Sequence, residues 1–488
     1  MLKKAKRFLY LFHRWLGVGL CLWFALLFVS GVIMMYVEYP ELTEDERLWQ
    51  MQALDATALR VSADEAAKRA GIDNVSALTL SMVMGRPAYE FVDTLRATTT
   101  VFADDGSLLT AVTAEQALAA ARHSHFAGSA QPRHDGELAI DQWTVSSVLD
   151  AERPLHRVAL DDAAGTVLYV SGTRGRVVRD TTRTERFWNW LGSTIHWIYP
   201  WQFRQHATLW AEVLTYLSLA GVFSVVSGTV VGWWRLRVRR RYRDAQLTPY
   251  RGWQRWHHLL GLGCVVFIAT WIFSGLMSMY PWGVFDNATS VDEQLARYQG
   301  GSLEGFADLP ATAAALQAAG DGIKEVQWRR IGTTPYLVLS RSSTEKSIRL
   351  ANGKTNPVAL QALITSQLQA LQPTARMAAQ RVITHYDSWY YSHHNRYRPL
   401  PVLEVRFEDT EHSWYHIDLT TGAVVQRLTA TDRWARWLYS GLHSLDFALL
   451  FQHRPVWDIV LILLLLCGTV FSLTAVVIGW RRLVPARH

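Results

Sequence analysis

Four apolar stretches constrain this chain more than anything else in it: Phe8 to Tyr36, Thr208 to Trp234, Trp256 to Tyr280 and Val456 to Trp480. As helices, each is long enough to cross a hydrocarbon core of ~30 Å, which takes about 20 residues. A backbone in lipid must satisfy its own hydrogen bonds, so such stretches fold as helices. The sequence therefore specifies an integral membrane protein. The first stretch follows Lys3, Lys4, Lys6 and Arg7 as a signal peptide would, but its apolar part is long and no small-residue cleavage site follows Gly31. It reads as an uncleaved anchor.

The charges sort by side. Between Arg235 and Arg255 stand eight arginines and one acid, Asp244; the N-terminus as far as Arg14 and the tail with Arg481, Arg482 and Arg487 are basic too. The positive-inside bias places these three segments in the cytoplasm. The remainder of the chain is net acidic, so the overall charge of +7 records orientation and gives no ground for a nucleic-acid partner. The long connections, Glu38 to about His206 and Pro281 to about Arg454, then lie on the far side, which in a Gram-negative bacterium is the periplasm. Cys21, Cys264 and Cys467 all lie in apolar runs and no CxxC or CxxCH occurs, which argues against a disulfide framework, a zinc knuckle and covalent haem. Nucleophile elbow, Walker loop and dinucleotide fingerprint are absent as well.

An internal repeat organises the whole. HRWLGVG from His13 matches HHLLGLG from His257, and Ser30-Gly31 with Tyr36 matches Ser274-Gly275 with Tyr280, at an offset of 244. Further on the offset is 247: VSGTRGRVV from Val170 aligns with IDLTTGAVV from Ile417, and Trp190, His196, His206, Trp210, Gly221 and Gly232 fall on Trp437, His443, His453, Trp457, Gly468 and Gly479. Two copies of like orientation should pack about an axis along the membrane normal. The expected architecture is a four-span helical bundle with two α+β periplasmic domains. Its parts are a first span (1–37), a first outside domain (38–183), an interfacial helix and second span (184–237), a basic loop (238–253), a third span (254–281), a second outside domain (282–432), and an interfacial helix, fourth span and tail (433–488). Ala63 to Ala70, Ala114 to Ala121 and Ala311 to Ala319 read as helices. Val167 to Val178 and Trp414 to Val425 read as hairpins around glycine turns, and Phe187 to Ile198 and Trp434 to Leu445 as interfacial helices.

Histidine is costly in a bilayer and marks a candidate site there, although a single one is ordinarily a hydrogen-bonded packing residue. Three pairs recur in the repeat. His13 and His257 lie near the cytoplasmic face, whereas His196 with His443 and His206 with His453 lie at the outer boundary. Axial ligands of one haem iron must stand at one depth. Hence His13 and His257 are expected to hold an inner b-type haem and His196 and His443 an outer one, with His206 and His453 as alternative outer ligands or propionate partners. Gly17, Gly19, Gly261 and Gly263 would let a flat macrocycle approach. His258 has no repeat partner, Arg14 taking its place. A second cluster, His385-Tyr386-Asp387 with Trp389, Tyr390, Tyr391, His393 and His394, reads either as a docking surface for a metal chelate or a planar ligand or as aromatic packing.

HRWLG, WHHLLGLG, SGLMSMYPW, LHSLD, RPVWD and the closing GWRR resemble the PepSY-associated transmembrane-helix proteins, and the two hairpins look like PepSY modules. The likeness extends over essentially the whole chain, which in plan resembles, among such proteins, the inner-membrane ferrisiderophore reductases of the ferrioxamine type. It implies four spans, periplasmic PepSY domains and b-type haems carrying electrons from quinol or a cytoplasmic donor to a ferric siderophore or other ferric chelate, with His13, His196, His257 and His443 at the family's recurrent positions. The competing expectation is non-enzymatic: a membrane-anchored PepSY protein that binds or restrains an envelope peptidase or another partner protein.

Overall fold

The computed structural model describes residues 2–287, 290–301, 303, 309–350, 357–392 and 397–484. It resolves into two compact units, each assembled from separate pieces of the chain. The helical unit comprises Met1–Tyr39, Glu185–Asp286 and Thr431–His488, and the sheet unit Pro40–Thr184 and Asn287–Ala430.

Three helices of the first unit are long and apolar enough to cross a membrane: Lys3–Met34, Ala207–Arg235 and Val456–Leu483. The third apolar stretch is not the single straight helix its composition suggests. It is two helices, Gly252–Gly263 and Val265–Met277, that pass the same test only together and are bent by 72°. Cys264 (φ −99°, ψ 1°) leaves the helical region at the break. The weak helix formers Gly261 and Gly263 precede it. In the first half Gly17 and Gly19 continue straight; what differs is the facing side chain, for Phe471 presses within 2.9 Å of where a Gly261 Cβ would be, and Ser224 stands at the related position. The first helix packs on both Ala207–Arg235 and Val456–Leu483, and the bent pair packs on the same two. Phe24, Phe28, Ile268, Trp271 and Leu465 fill the space between them.

The segments that follow the two sheet-forming stretches are helical, as expected, but each carries a turn of π-helix, Trp190–Thr194 and Trp437–Gly441, at related positions. Ile198 and Leu445, also related, both take positive φ where these segments turn.

In the sheet unit the alanine-rich stretches are the helices Ala63–Ala70, Ala114–His123 and Leu309–Ala319. Both hairpins form, Val167–Ser171 with Val177–Thr181 and Trp414–Asp418 with Val424–Leu428, the second around Gly422 at φ 73°. Each hairpin belongs to an antiparallel sheet of four strands. A third sheet of seven strands draws on both segments: Lys346–Leu350, Thr334–Ser340, Glu325–Ile331, Val75–Val83, Arg86–Asp93, Thr98–Phe102 and Leu108–Leu109. Its junction is the antiparallel pairing of Leu78 with Trp328 and Leu80 with Val326. Leu78, Leu80, Tyr89, Val326 and Trp328 form one core beneath it. An ion pair ties the same junction, Arg47 to the buried Glu325 at 2.6 Å. Burial alone would raise the Glu325 pKa, but Arg47 and Arg176 outweigh it and hold the carboxyl below its usual range.

Candidate functional site

Four histidines in the helical unit are oriented in one way. His196 Nδ1 lies 3.0 Å from Ser30 Oγ, and Ser30 commits its own proton to Leu26 O at 2.7 Å. The imidazole is therefore the donor. His443 repeats this with Ser274 at 3.0 Å, whose hydroxyl donates to Trp271 O. His13 donates through Nδ1 to the Ser224 carbonyl at 3.1 Å, with Ser227 Oγ at 3.4 Å. His257 donates through Nδ1 to Thr474 Oγ1 at 3.1 Å, and that hydroxyl donates to Phe471 O. With Nδ1 holding the proton in all four, each Nε2 keeps its lone pair, which is how second-shell partners prepare a histidine to ligate a metal.

The four gather as two pairs. His196 and His443 face each other with ring centres 6.2 Å apart and planes at 81°. His13 and His257 line a single cavity of about 290 Å³. Gly17 and Gly261 are in its wall, with open space for 4 Å around a Gly17 Cβ; the other two glycines singled out in the sequence, Gly19 and Gly263, are not. Ser472, 1% exposed, also lines it, and its hydroxyl has no hydrogen-bond partner among the described residues. A methyl at Gly228 would come within 2.5 Å of His13 Cε1, so that glycine makes the room in which the imidazole stands.

The remaining histidines are placed otherwise. His206 and His453 are exposed, His206 just ahead of the helix Ala207–Arg235 and His453 bonded to Leu449 O at 2.9 Å. His258 is buried with both nitrogens engaged, Thr248 Oγ1 and Gly232 O each at 2.8 Å, and so pins the basic loop. In the sheet unit His385 is exposed beside Thr384, while Asp387 pairs with Arg381 and caps the backbone of Trp389 and Tyr390. Tyr390 is buried and stacks on His416 at 4.8 Å. These residues are engaged in packing; His393 and His394 lie outside the described residues.

The histidines stand out in the sequence by their repetition; their hydrogen-bond partners do not. Ser30 and Ser274 were visible as a repeated pair without a role; Ser227 and Thr474 stand 247 residues apart and could have been found by asking which hydroxyls recur with the histidines.

Membrane-length helices joined to α+β sheet structure, with half-buried histidines paired among the helices, define the class: a polytopic membrane protein carrying an extramembrane sheet domain. The model of the PepSY-associated TM region matches residues 10–482, and the chain belongs to that family. No curated protein is similar enough to match.

Proposed function

We propose that this is an inner-membrane protein that passes electrons through two b-type haems, one at His13 and His257 and one at His196 and His443, to reduce a periplasmic ferric siderophore or related ferric chelate. The observation that carries the reading is the outer pair. Two imidazoles sharing an iron, with metal–nitrogen bonds of about 2 Å, have ring centres roughly 6 Å apart, and those of His196 and His443 are separated by 6.2 Å. Two protein ligands are what an iron already held by a macrocycle requires. The inner cavity, with its glycine walls and unpartnered Ser472 hydroxyl, suits a flat ligand. Bound at these two places, haem would supply one-electron transfer across the bilayer.

The chain's own contribution is orientation. Ser30, Ser274, Thr474 and the Ser224 carbonyl fix each imidazole plane and, by accepting the Nδ1 proton, make Nε2 a stronger donor. His13 and Ser30 stand about 25 Å apart along one helix at ~1.5 Å per residue, which separates the two sites by most of the membrane. The bent pair carries His257 to the inner site and Ser274 to the outer one, so we take it as a fourth crossing. That crossing also lets all three basic segments lie on one side, the cytoplasm by the positive-inside bias, and the sheet unit in the periplasm. An electron from quinol or a cytoplasmic donor would enter at His13 and His257. Ferric iron in a hard-oxygen chelate takes up that electron, and the ferrous ion, held less tightly by such ligands, dissociates for uptake.

The test is a reduced-minus-oxidised spectrum of the detergent-purified chain with pyridine haemochrome quantification. Sharp low-spin b-type bands at about two haems per chain are expected from two bis-histidine sites. A folded but colourless protein, expressed with ample haem, would leave the peptidase-binding alternative in its place.

A further inference from the structure

The cavity that holds His13 and His257 changes character along its length. Phe24, Ile268 and Phe471 wall its interior, while Arg14 and Arg482 stand exposed at its basic end with the hydroxyls of Tyr10 and Tyr250. The repeat makes these arginines stand out. Arg235, the counterpart of Arg482, is committed to the Tyr10 hydroxyl at 2.8 Å. His258, the counterpart of Arg14, is held between Thr248 and Gly232. Neither Arg14 nor Arg482 makes an ion pair among the described residues. Each half thus supplies one guanidinium with nothing anionic on it, and both open on the same cavity.

We propose that this mouth is a dicarboxylate site: Arg14 and Arg482 each take one carboxylate of the ligand, so that the inner haem lies with its two propionates at the basic end and its apolar edge against Phe24. The inference rests on the haem reading above and adds to it the direction of the macrocycle and the residues that fix it. A guanidinium forms charge-assisted, bidentate bonds to carboxylate. The reverse orientation would press two carboxylates against Phe24 and Ile268, away from both guanidinium groups, where no cation stands to pair with them among the described residues. Two cations near the iron also favour its reduced state.

The full-length chain carrying His443→Ala, which breaks the outer pair, is titrated in detergent with haem and with haem dimethyl ester, and binding is read from the Soret band. The free acid should bind roughly tenfold more tightly than the ester, as two half-exposed charge pairs allow. Adding Arg14→Gln and Arg482→Gln should bring the two ligands to within about twofold, the modest pairs having gone. Equal binding to the intact mouth, or a preference that survives both arginine substitutions, overturns the proposal while leaving haem binding in place. If the unaltered, folded chain takes up neither ligand, the haem reading itself fails and this inference with it. Should His443→Ala not fold, the two arginine substitutions are made in the two-haem protein and followed by potentiometry: the midpoint of one haem should fall and the other stay. No shift in either overturns the proposal.

Discussion

The acceptor at Nδ1 decides what each paired histidine can do, and for three of the four it is a hydroxyl. Without Ser274, His443 would lose the hydroxyl that accepts its Nδ1 proton and could more readily move that proton to the nitrogen that must ligate. Replacing second-shell partners costs about 10–100-fold in metal affinity. Ser274→Ala should therefore weaken outer-haem retention by that order and raise its midpoint potential, since a less basic imidazole favours the oxidised iron less; a redox titration of the purified variant checks this. In the sheet unit Glu404 is buried against His416 at 3.3 Å and Arg381 and Arg406 at 2.7 and 2.8 Å. Burial opposes its charge, but these three partners prevail and hold its pKa well below the usual carboxylate range. A depressed carboxyl contributes stability in full above its unfolded pKa and loses it as pH falls toward the folded value. Glu404→Gln should cost roughly 2 kcal/mol near neutrality, and the gap from wild type should narrow on acidification, as unfolding followed by tryptophan fluorescence at pH 7 and 4 would reveal. The histidines were legible because they repeat at fixed depth. Their tautomers were not, because a hydroxyl's role depends on where it sends its own proton.

Among elements, the long apolar helices and the glycine-turn hairpins could be read directly, since length and alternation are local properties. The π-helical turns at Trp190–Thr194 and Trp437–Gly441 could not. Such bulges arise from packing rather than composition and often mark functional positions; here each precedes by a few residues the histidine of the outer pair. The bend at Cys264 escaped for the same reason, for the glycines before it occur equally in the straight first helix, and the facing Phe471, where the first half has Ser224, is a contact remote in sequence. Close helix approach gives a sharper test. Gly228→Ala adds one methyl 2.5 Å from His13 Cε1, which displaces the imidazole rather than the helix. The variant should lose the inner haem and keep the outer, halving the haem per chain measured by pyridine haemochrome; equal loss of both would contradict independent sites.

For the molecule as a whole, the seven-stranded sheet is the least expected feature. Hydrophobic alternation can indicate a strand but not its partner, and Val75–Val83 finds Glu325–Ile331 across some 245 residues of sequence. Cutting the chain within the basic loop should therefore leave two fragments that co-purify when expressed together, and Thr79→Pro should lower the share that does so, the helix packing between the halves remaining. Thr79 pairs with Glu90 on one side and Gln327 on the other, and proline in a central strand removes a ladder bond that cannot be replaced. Undiminished co-purification would mean that the helices alone hold the halves together. The same junction sets a schedule for synthesis. At about 5–20 residues per second, the ribosome needs roughly 10–50 s to follow the first strand with its partner. Throughout that interval Val75–Val83 offers an open ladder to any passing strand, so the nascent first half must be shielded, by a chaperone or by the speed of translation, until its own second half arrives.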